Sequence, residues 1–229
     1  MRRDVSSPNY GERRARLDMI VLHYTGMESA QAALDRLCDP AAQVSAHYLI
    51  DRDGSAFELV DPRKRAWHAG VSAWEGHGDV NSRSIGIELV NLGHEHGYQD
   101  FPEAQVTVLL RLLAKLCLQY RIPQHAVWGH SDVAAARKED PGEKFPWARL
   151  ARHGFGIWPL VSQRAKVPGH CDSVLSQIGY DVADLAAAQQ AFKRHFRPPS
   201  LGQGWTQADQ LVASAVLDRL KRVRLRRRA

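Results

Sequence analysis

Short apolar runs alternate with longer stretches of helical period through most of this chain. Met19 to Tyr24, Tyr48 to Ile50, Ala56 to Val60, Ile85 to Val90 and Ala126 to Trp128 read as strands. Between the second and third runs, Asp51-Arg52-Asp53-Gly54 is a tight-turn signal, so those two strands are expected to form a hairpin. Ser29 is placed to cap a helix running to about Leu37. Pro102 suits the first turn of a longer helix to about Tyr120, in which Val106, Leu109, Leu110, Leu113, Leu116, Cys117 and Tyr120 recur at helical spacing. Pro123 follows it as a stop, and Pro146 to Arg152 reads as a short helix. The pattern predicts an α/β fold, with a mixed central sheet flanked by helices.

The pattern changes after Gly154. The stretch from there to Pro168 has little periodicity and is bounded by glycine and proline. Beyond it come three helical segments. Cys171 to Ile178 is the first. Asp184 caps the second, with Leu185, Ala188, Phe192 and Phe196 on one face. Thr206, with Asp209 three residues on, caps the third, whose Leu211, Val212, Ala215, Val216 and Leu220 are expected to face inward. The expected organisation is a catalytic domain at 1–158, a linker at 159–168 and a small three-helix domain with a basic tail at 169–229.

Charge and cysteines narrow the setting. Cys38, Cys117 and Cys171 are odd in number and far apart, which excludes a disulfide framework or a CxxC metal clip and favours a reducing compartment. The segment Asp4 to Asp18 is polar and offers no apolar core for a signal peptide, and no stretch approaches the roughly 20 apolar residues of a membrane span. A cytoplasmic protein is expected, with a periplasmic one as the alternative if the chain is trimmed. The net charge is +6, and seven of the Lys and Arg residues fall between Arg219 and Arg228. With no aromatic residue interleaved for base stacking, this tail reads as a solvated helix end, and no nucleic-acid partner is expected.

The candidate chemistry lies in three stretches. His23 closes the apolar run of MIVLHYTG, His130 follows the apolar stretch of VWGHSDVA and opens a loop, and Asp140 sits in RKEDPGEK. Two imidazoles and a carboxylate suit an open tetrahedral zinc site with its fourth position left for water, a centre able to hydrolyse an unactivated amide. Three such residues spread over about half of the chain are, on spacing alone, more often ordinary polar residues at strand ends. Glu88 alternates with Ile85, Ile87 and Leu89, so it faces away from their side of the sheet. Lys138 lies two residues before Asp140, and in extended chain both can face one cleft.

IVLHYTGM, VSAHYLIDRDG, RAWHAGVSAW, NSRSIGIELVN and GHSDVAAARKEDPGEKFPW together resemble, in order and spacing, the zinc-dependent N-acetylmuramoyl-L-alanine amidases, whose fold is shared with the peptidoglycan recognition proteins. The resemblance runs from about Ser6 to Pro159. It implies one zinc ion bound by His23, His130 and Asp140, with Glu88 as the catalytic carboxylate and Lys138 as the catalytic lysine. It implies substrate contact or support of the site by His47, Trp67 and His68, and stem-peptide contact by Asn81 and Arg83. Packing of Trp67 in the core, and His47 as a partner holding a ligand, are the alternatives. The stretch LSQIGYDVADLAAAQQAFKRHFRP resembles the small helical peptidoglycan-binding module found beside some of these amidases, a helical buttress being the other reading. The implied function is hydrolysis of the amide between N-acetylmuramic acid, including its anhydro form, and L-alanine of stem peptides, with muropeptide fragments as partners and cell-wall recycling as the role. The alternative is a peptidoglycan-binding or sensing protein without turnover. Members that only bind usually lack part of the zinc set, and none of it is missing here.

Overall fold

The structure, a computed structural model, describes Arg2 and residues 4–159 and 169–225. Among the described residues there are seven strands: β1 (Tyr10–Gly11), β2 (Met19–Tyr24), β3 (Tyr48–Ile50), β4 (Ala56–Glu58), β5 (Arg65–Ala66), β6 (Ser84–Leu89) and β7 (Val127–Gly129). The helices are α1 (Ala30–Cys38), α2 (Val80–Arg83), α3 (Glu103–Tyr120), α4 (His130–Val133), α5 (Trp147–Arg152), α6 (Cys171–Ile178), α7 (Leu185–Phe196) and α8 (Gln207–Leu225). The main sheet has the order β4-β3-β6-β2-β7, and β1 pairs with β5 in a separate ribbon. β3, β6, β2 and β7 run parallel, and β4 joins antiparallel through the expected hairpin, where Gly54 takes a positive φ of 88°. The sheet is therefore mixed, as the apolar runs imply.

Strand alternation sorts the side chains by face. Ile20 and Leu22 of β2, Ile85, Ile87 and Leu89 of β6, and Tyr48 and Ile50 of β3 pack against α3 through Val106, Leu109, Leu112, Leu113 and Leu116. The buried stripe of α3 includes Gln105 and Leu112 in place of the expected Leu110 and Tyr120. Gln105 is tolerated there because its Nε2 donates to Ile50 O at 3.0 Å and Val90 O at 3.1 Å, closing the end of the sheet. Pro102 is the N-cap of α3 rather than part of its first turn.

The opposite face is shared among three tenants. α1, capped by Ser29 accepting from Ala32 N at 3.2 Å, covers Leu49 and Phe57 with Leu34 and Leu37. The C-terminal helices cover Met19, Val21 and Trp128 with Val174, Leu175, Phe192 and Val216. Between them, the same face of β2 and β6 turns polar at its carboxyl end, where His23 and Glu88 stand side by side in register.

Two of the C-terminal helices begin where their caps predict: Asp184 accepts from Ala187 N at 3.0 Å, and Asp209 N donates to Thr206 Oγ1 at 3.3 Å. The inward face of α8 is Ala213, Val216, Leu217 and Leu220, rotated from the expected one; Leu211, Val212 and Ala215 are only half-buried. These helices and the catalytic part share one continuous apolar core. The expected linker lies outside the described residues except for Pro159.

Candidate active site

The chain delivers its polar groups to the carboxyl ends of parallel strands, where open α/β sheets place their ligands. His23 is the fifth residue of β2 and Glu88 the fifth of β6. β7 ends at Gly129, and His130 opens the one-turn helix α4 rather than a loop. The backbone then returns, and Ser131 N donates to Asp140 O at 2.8 Å, tying the two segments together.

His23 Nδ1, His130 Nδ1 and Asp140 Oδ2 form a triangle with edges of 3.0, 3.0 and 3.1 Å. The outer nitrogens are already committed. His130 Nε2 donates to Ala69 O at 3.1 Å. His23 Nε2 meets His68 Nδ1 at 3.0 Å, and His68 Nε2 meets Ser84 Oγ at 3.1 Å. Ser84 Oγ spends its proton on Val80 O at 2.6 Å, so it must accept from His68. This fixes the order of donors back to His23 Nε2–H and leaves both Nδ1 atoms as bare lone pairs. Two lone pairs and a carboxylate oxygen converging at such distances repel one another unless a cation sits among them. The triangle is close to the ~3.3 Å edge of a tetrahedron with bonds of ~2.0–2.1 Å. The donor set thus fits a metal ion, and it is the one group of three or more candidate ligands found among the described residues.

The electrostatics agree. Burial and the neighbouring His130 hold His23 down to about 4, the neutral form a ligand needs. Burial alone would raise the Asp140 carboxyl, but His130 and His23 beside it hold it well below the usual range. Burial and the adjacent His23 also keep His68 neutral. Glu88 behaves in the opposite sense. Burial and then Asp140 push it up to about 8, and Lys138 only partly offsets this. Its Oε2 is buried without a hydrogen-bond partner. A divalent cation held by the triangle would reverse the balance and favour the carboxylate.

A cleft of about 600 Å³ opens over this group, lined by His23, His130, Asp140, Glu88, Lys138, Trp67 and His68. Seven of the ten expected site residues therefore meet in one place. The other three do not. His47 is fully buried beneath the sheet end, its Nδ1 accepting from Gly86 N at 2.9 Å, and it holds no metal ligand. Asn81 accepts from His68 N and Ala69 N at 3.0 and 2.8 Å, shaping the loop rather than the cleft. Arg83 points to a different surface, where Asp18 takes its guanidinium at 2.8 Å. His68 bonds His23, the part offered as the alternative for His47. Gly86 makes this possible: a Cβ there would lie 2.4 Å from His68 Cγ. A lone glycine inside a strand signals such a close approach, so this support was detectable in the sequence.

Fold and cleft together define a hydrolase of α/β architecture with a His–His–Asp triangle fit to hold a metal ion beside a half-buried glutamate. The family described as N-acetylmuramoyl-L-alanine amidase matches residues 13–143, a stretch that contains the triangle and Glu88. The chain belongs to that family. N-acetylmuramoyl-L-alanine amidase AmiD of Escherichia coli is 35% identical over 89% of this chain and 83% of its own length. Its solved complex with the substrate anhydro-N-acetylmuramic acid-L-Ala-D-gamma-Glu-L-Lys superposes with a TM-score of 0.77, at 30% identity over 92% of this chain and 97% of that one. AmpDh3 of Pseudomonas aeruginosa, in complex with anhydromuramic pentapeptide, gives a TM-score of 0.79 at 30% identity, covering 94% of this chain and 95% of its own. The 1,6-anhydro-N-acetylmuramyl-L-alanine amidase AmpD of Haemophilus influenzae is 33% identical over 64% of this chain and 89% of its own length.

Proposed function

We propose that this protein hydrolyses the amide joining the lactyl group of N-acetylmuramic acid, including its 1,6-anhydro form, to L-alanine of the stem peptide, using one zinc ion. The carrying observation is the triangle of His23, His130 and Asp140 with the unpartnered Glu88 beside it. AmiD and AmpDh3, whose complexes hold anhydromuramyl peptides, support the choice of substrate.

His23, His130 and Asp140 would hold the zinc ion, which supplies Lewis acidity: it activates water near neutral pH and polarises a carbonyl. Glu88 takes the proton from the attacking water and returns it to the departing alanine amine. Lys138 lies at the cleft wall and offers a cation to the negative charge growing on the carbonyl oxygen. Trp67, half-buried in the same wall, gives the sugar ring an apolar surface. His23 is oriented through His68 and His130 through Ala69 O, so each ring presents one fixed nitrogen.

The reaction belongs in the cytoplasm, on small turnover fragments of the wall, in a recycling role. Cys38, Cys117 and Cys171 are all free thiols, which suits a reducing compartment. Among the described residues no helix is long and apolar enough to cross a membrane. We read α6–α8 as a buttress of the catalytic part, a reading the shared core supports.

Digestion of anhydro-muropeptides beside intact sacculi, followed by mass spectrometry, tests the activity. Free stem peptide and one zinc per chain are expected. Binding of muropeptide without release of peptide would identify a sensor instead. Export of the full-length gene product fused to a reporter active only outside the cytoplasm would overturn the location.

A further inference from the structure

The amidase part and the C-terminal helices meet at one buried carboxylate. Asp132, 1% exposed, is the third residue of α4, the turn that opens with His130. Its Oδ2 accepts from Gly129 N at 2.7 Å, closing the N-terminus of that turn on itself. The remaining partners come from the far side. Tyr180, after α6, donates its hydroxyl to Oδ1 at 2.6 Å. His195, near the end of α7, meets Oδ2 through Nδ1 at 2.8 Å. The His195 ring is held flat between Trp147, at 3.8 Å and 17°, and Phe196, at 3.9 Å and 10°.

A helix of one turn has no stability of its own, since nucleation costs more than its few bonds return. α4 keeps its shape because Asp132 fastens it. A carboxylate buried to this degree is tolerated only when its oxygens are bonded, so the phenol and the imidazole are conditions for its position. The turn carries His130, and Ser131 N holds the carbonyl of Asp140. Two of the three triangle residues therefore hang on one carboxylate. A second fastening lies beside them: Arg194 of α7 reaches Glu139, the neighbour of Asp140, at 3.1 Å. Gly129 leaves no slack, because a Cβ there would stand 2.8 Å from Pro141 Cδ and 3.3 Å from Asp132 Oδ2.

We propose that Tyr180 and His195 are positioning residues for the metal centre, acting through Asp132, so that the C-terminal helices set the affinity of the His–His–Asp site. The inference rests on the metal reading above. It makes the helical part a component of the site, beyond covering the sheet.

The test uses the full chain and reads zinc affinity by chelator competition, together with the visible spectrum of the cobalt-substituted protein. Tyr180→Phe removes one hydroxyl and keeps the ring; it is expected to weaken zinc binding about 10-fold, the lower end for losses behind metal ligands, and to alter the cobalt bands. Leu220→Ala, in the core of the same helical unit and on α8, whose residues are not among the partners of Asp132 given above, is expected to lower the melting temperature and leave both readouts unchanged. His195→Asn and His195→Leu both lose the stacking, but only asparagine keeps a donor near the Nδ1 position. Tighter zinc binding by the asparagine variant supports the proposal, and this pair decides the matter if Tyr180→Phe fails to fold. Unchanged affinity in Tyr180→Phe, equal losses in Leu220→Ala, or no difference between the two His195 variants would overturn it. A wild-type chain that binds no zinc would instead overturn the metal reading itself.

Discussion

At the scale of single residues, the site separates groups that touch the reaction from groups that aim them. Glu88→Gln keeps the shape and volume of the side chain and removes its ability to carry a proton. The metal content and fold should persist while turnover falls by roughly 10²–10⁴-fold; near wild-type turnover with zinc present would show that Glu88 is not the proton carrier. Gly86→Ala tests the aim. The added Cβ meets the His68 ring at 2.4 to 2.7 Å, so the ring must move and His23 loses its partner. Zinc affinity should drop about 10–100-fold, with Glu88 untouched; a titration that matches wild type would mean the ring finds another seat. His23, Glu88, His130, Lys138 and Asp140 were legible because each lies in a short stretch with its own pattern. His47, Asn81 and Arg83 were misplaced because their partners lie far off in sequence. The main-chain N–H of Gly86 that donates to His47, the loop at Ala69 and the acid at Asp18 give no local sign.

Among elements, local rules carried far. β2, β3, α6 and α7 run over the spans their apolar pattern and caps predict, because each forms against neighbours that bury a face set by its own period. Four of the short elements were missed: β1, β5, α2 and α4 have two to four residues and no apolar run of their own, and tertiary contacts hold them. The role of α6–α8 was likewise hidden. Their apolar faces are visible in the sequence, but a stripe does not say whether it closes on its own unit or on another. It does both, since Tyr180 and Trp74 meet edge to face at 5.1 Å and Trp74 packs on Trp128 at 4.4 Å. Ending the chain at residue 158 would bare Met19, Val21, Trp74 and Trp128 together. Each such side chain contributes about 1.5–3 kcal/mol on burial, against a total stability of roughly 5–15 kcal/mol. The truncated protein should aggregate or melt far below the full chain in calorimetry. A soluble fragment with unchanged melting would mean the sheet face closes without these helices.

For the whole molecule, the buried titrating groups set a stability profile in pH. Burial, then Arg13, holds His47 down to about 3; burial, then His130, holds His23 down to about 4. Each is neutral in the folded chain and protonates near 6.5 once unfolded. Their contribution is complete above that value and is lost as pH falls toward 4, with roughly a tenfold change in the folding constant per pH unit for each proton. Glu88 has the opposite sign in the metal-free protein: raised to about 8, its contribution is complete below about 4.5 and is lost as pH rises through 8. The histidines outweigh it on the acid side, so metal-free protein should be most stable near pH 6.5, in urea midpoints taken from pH 4 to 9. Zinc should flatten the alkaline limb by keeping Glu88 ionised. A metal-free midpoint that stays level below pH 6.5 would contradict the buried histidines.

The line from His23 through His68 and Ser84 ends on the main-chain carbonyl of Val80. A carbonyl accepts a proton's attraction but passes none onward, so this is a blind alley and not a wire to bulk water. Whatever charge enters the cleft can polarise that row, yet no proton can drain along it. Proton exchange with solvent must then run through the mouth of the cleft, past Glu88. With a single carrier in motion, the solvent isotope effect on turnover should vary linearly with deuterium content.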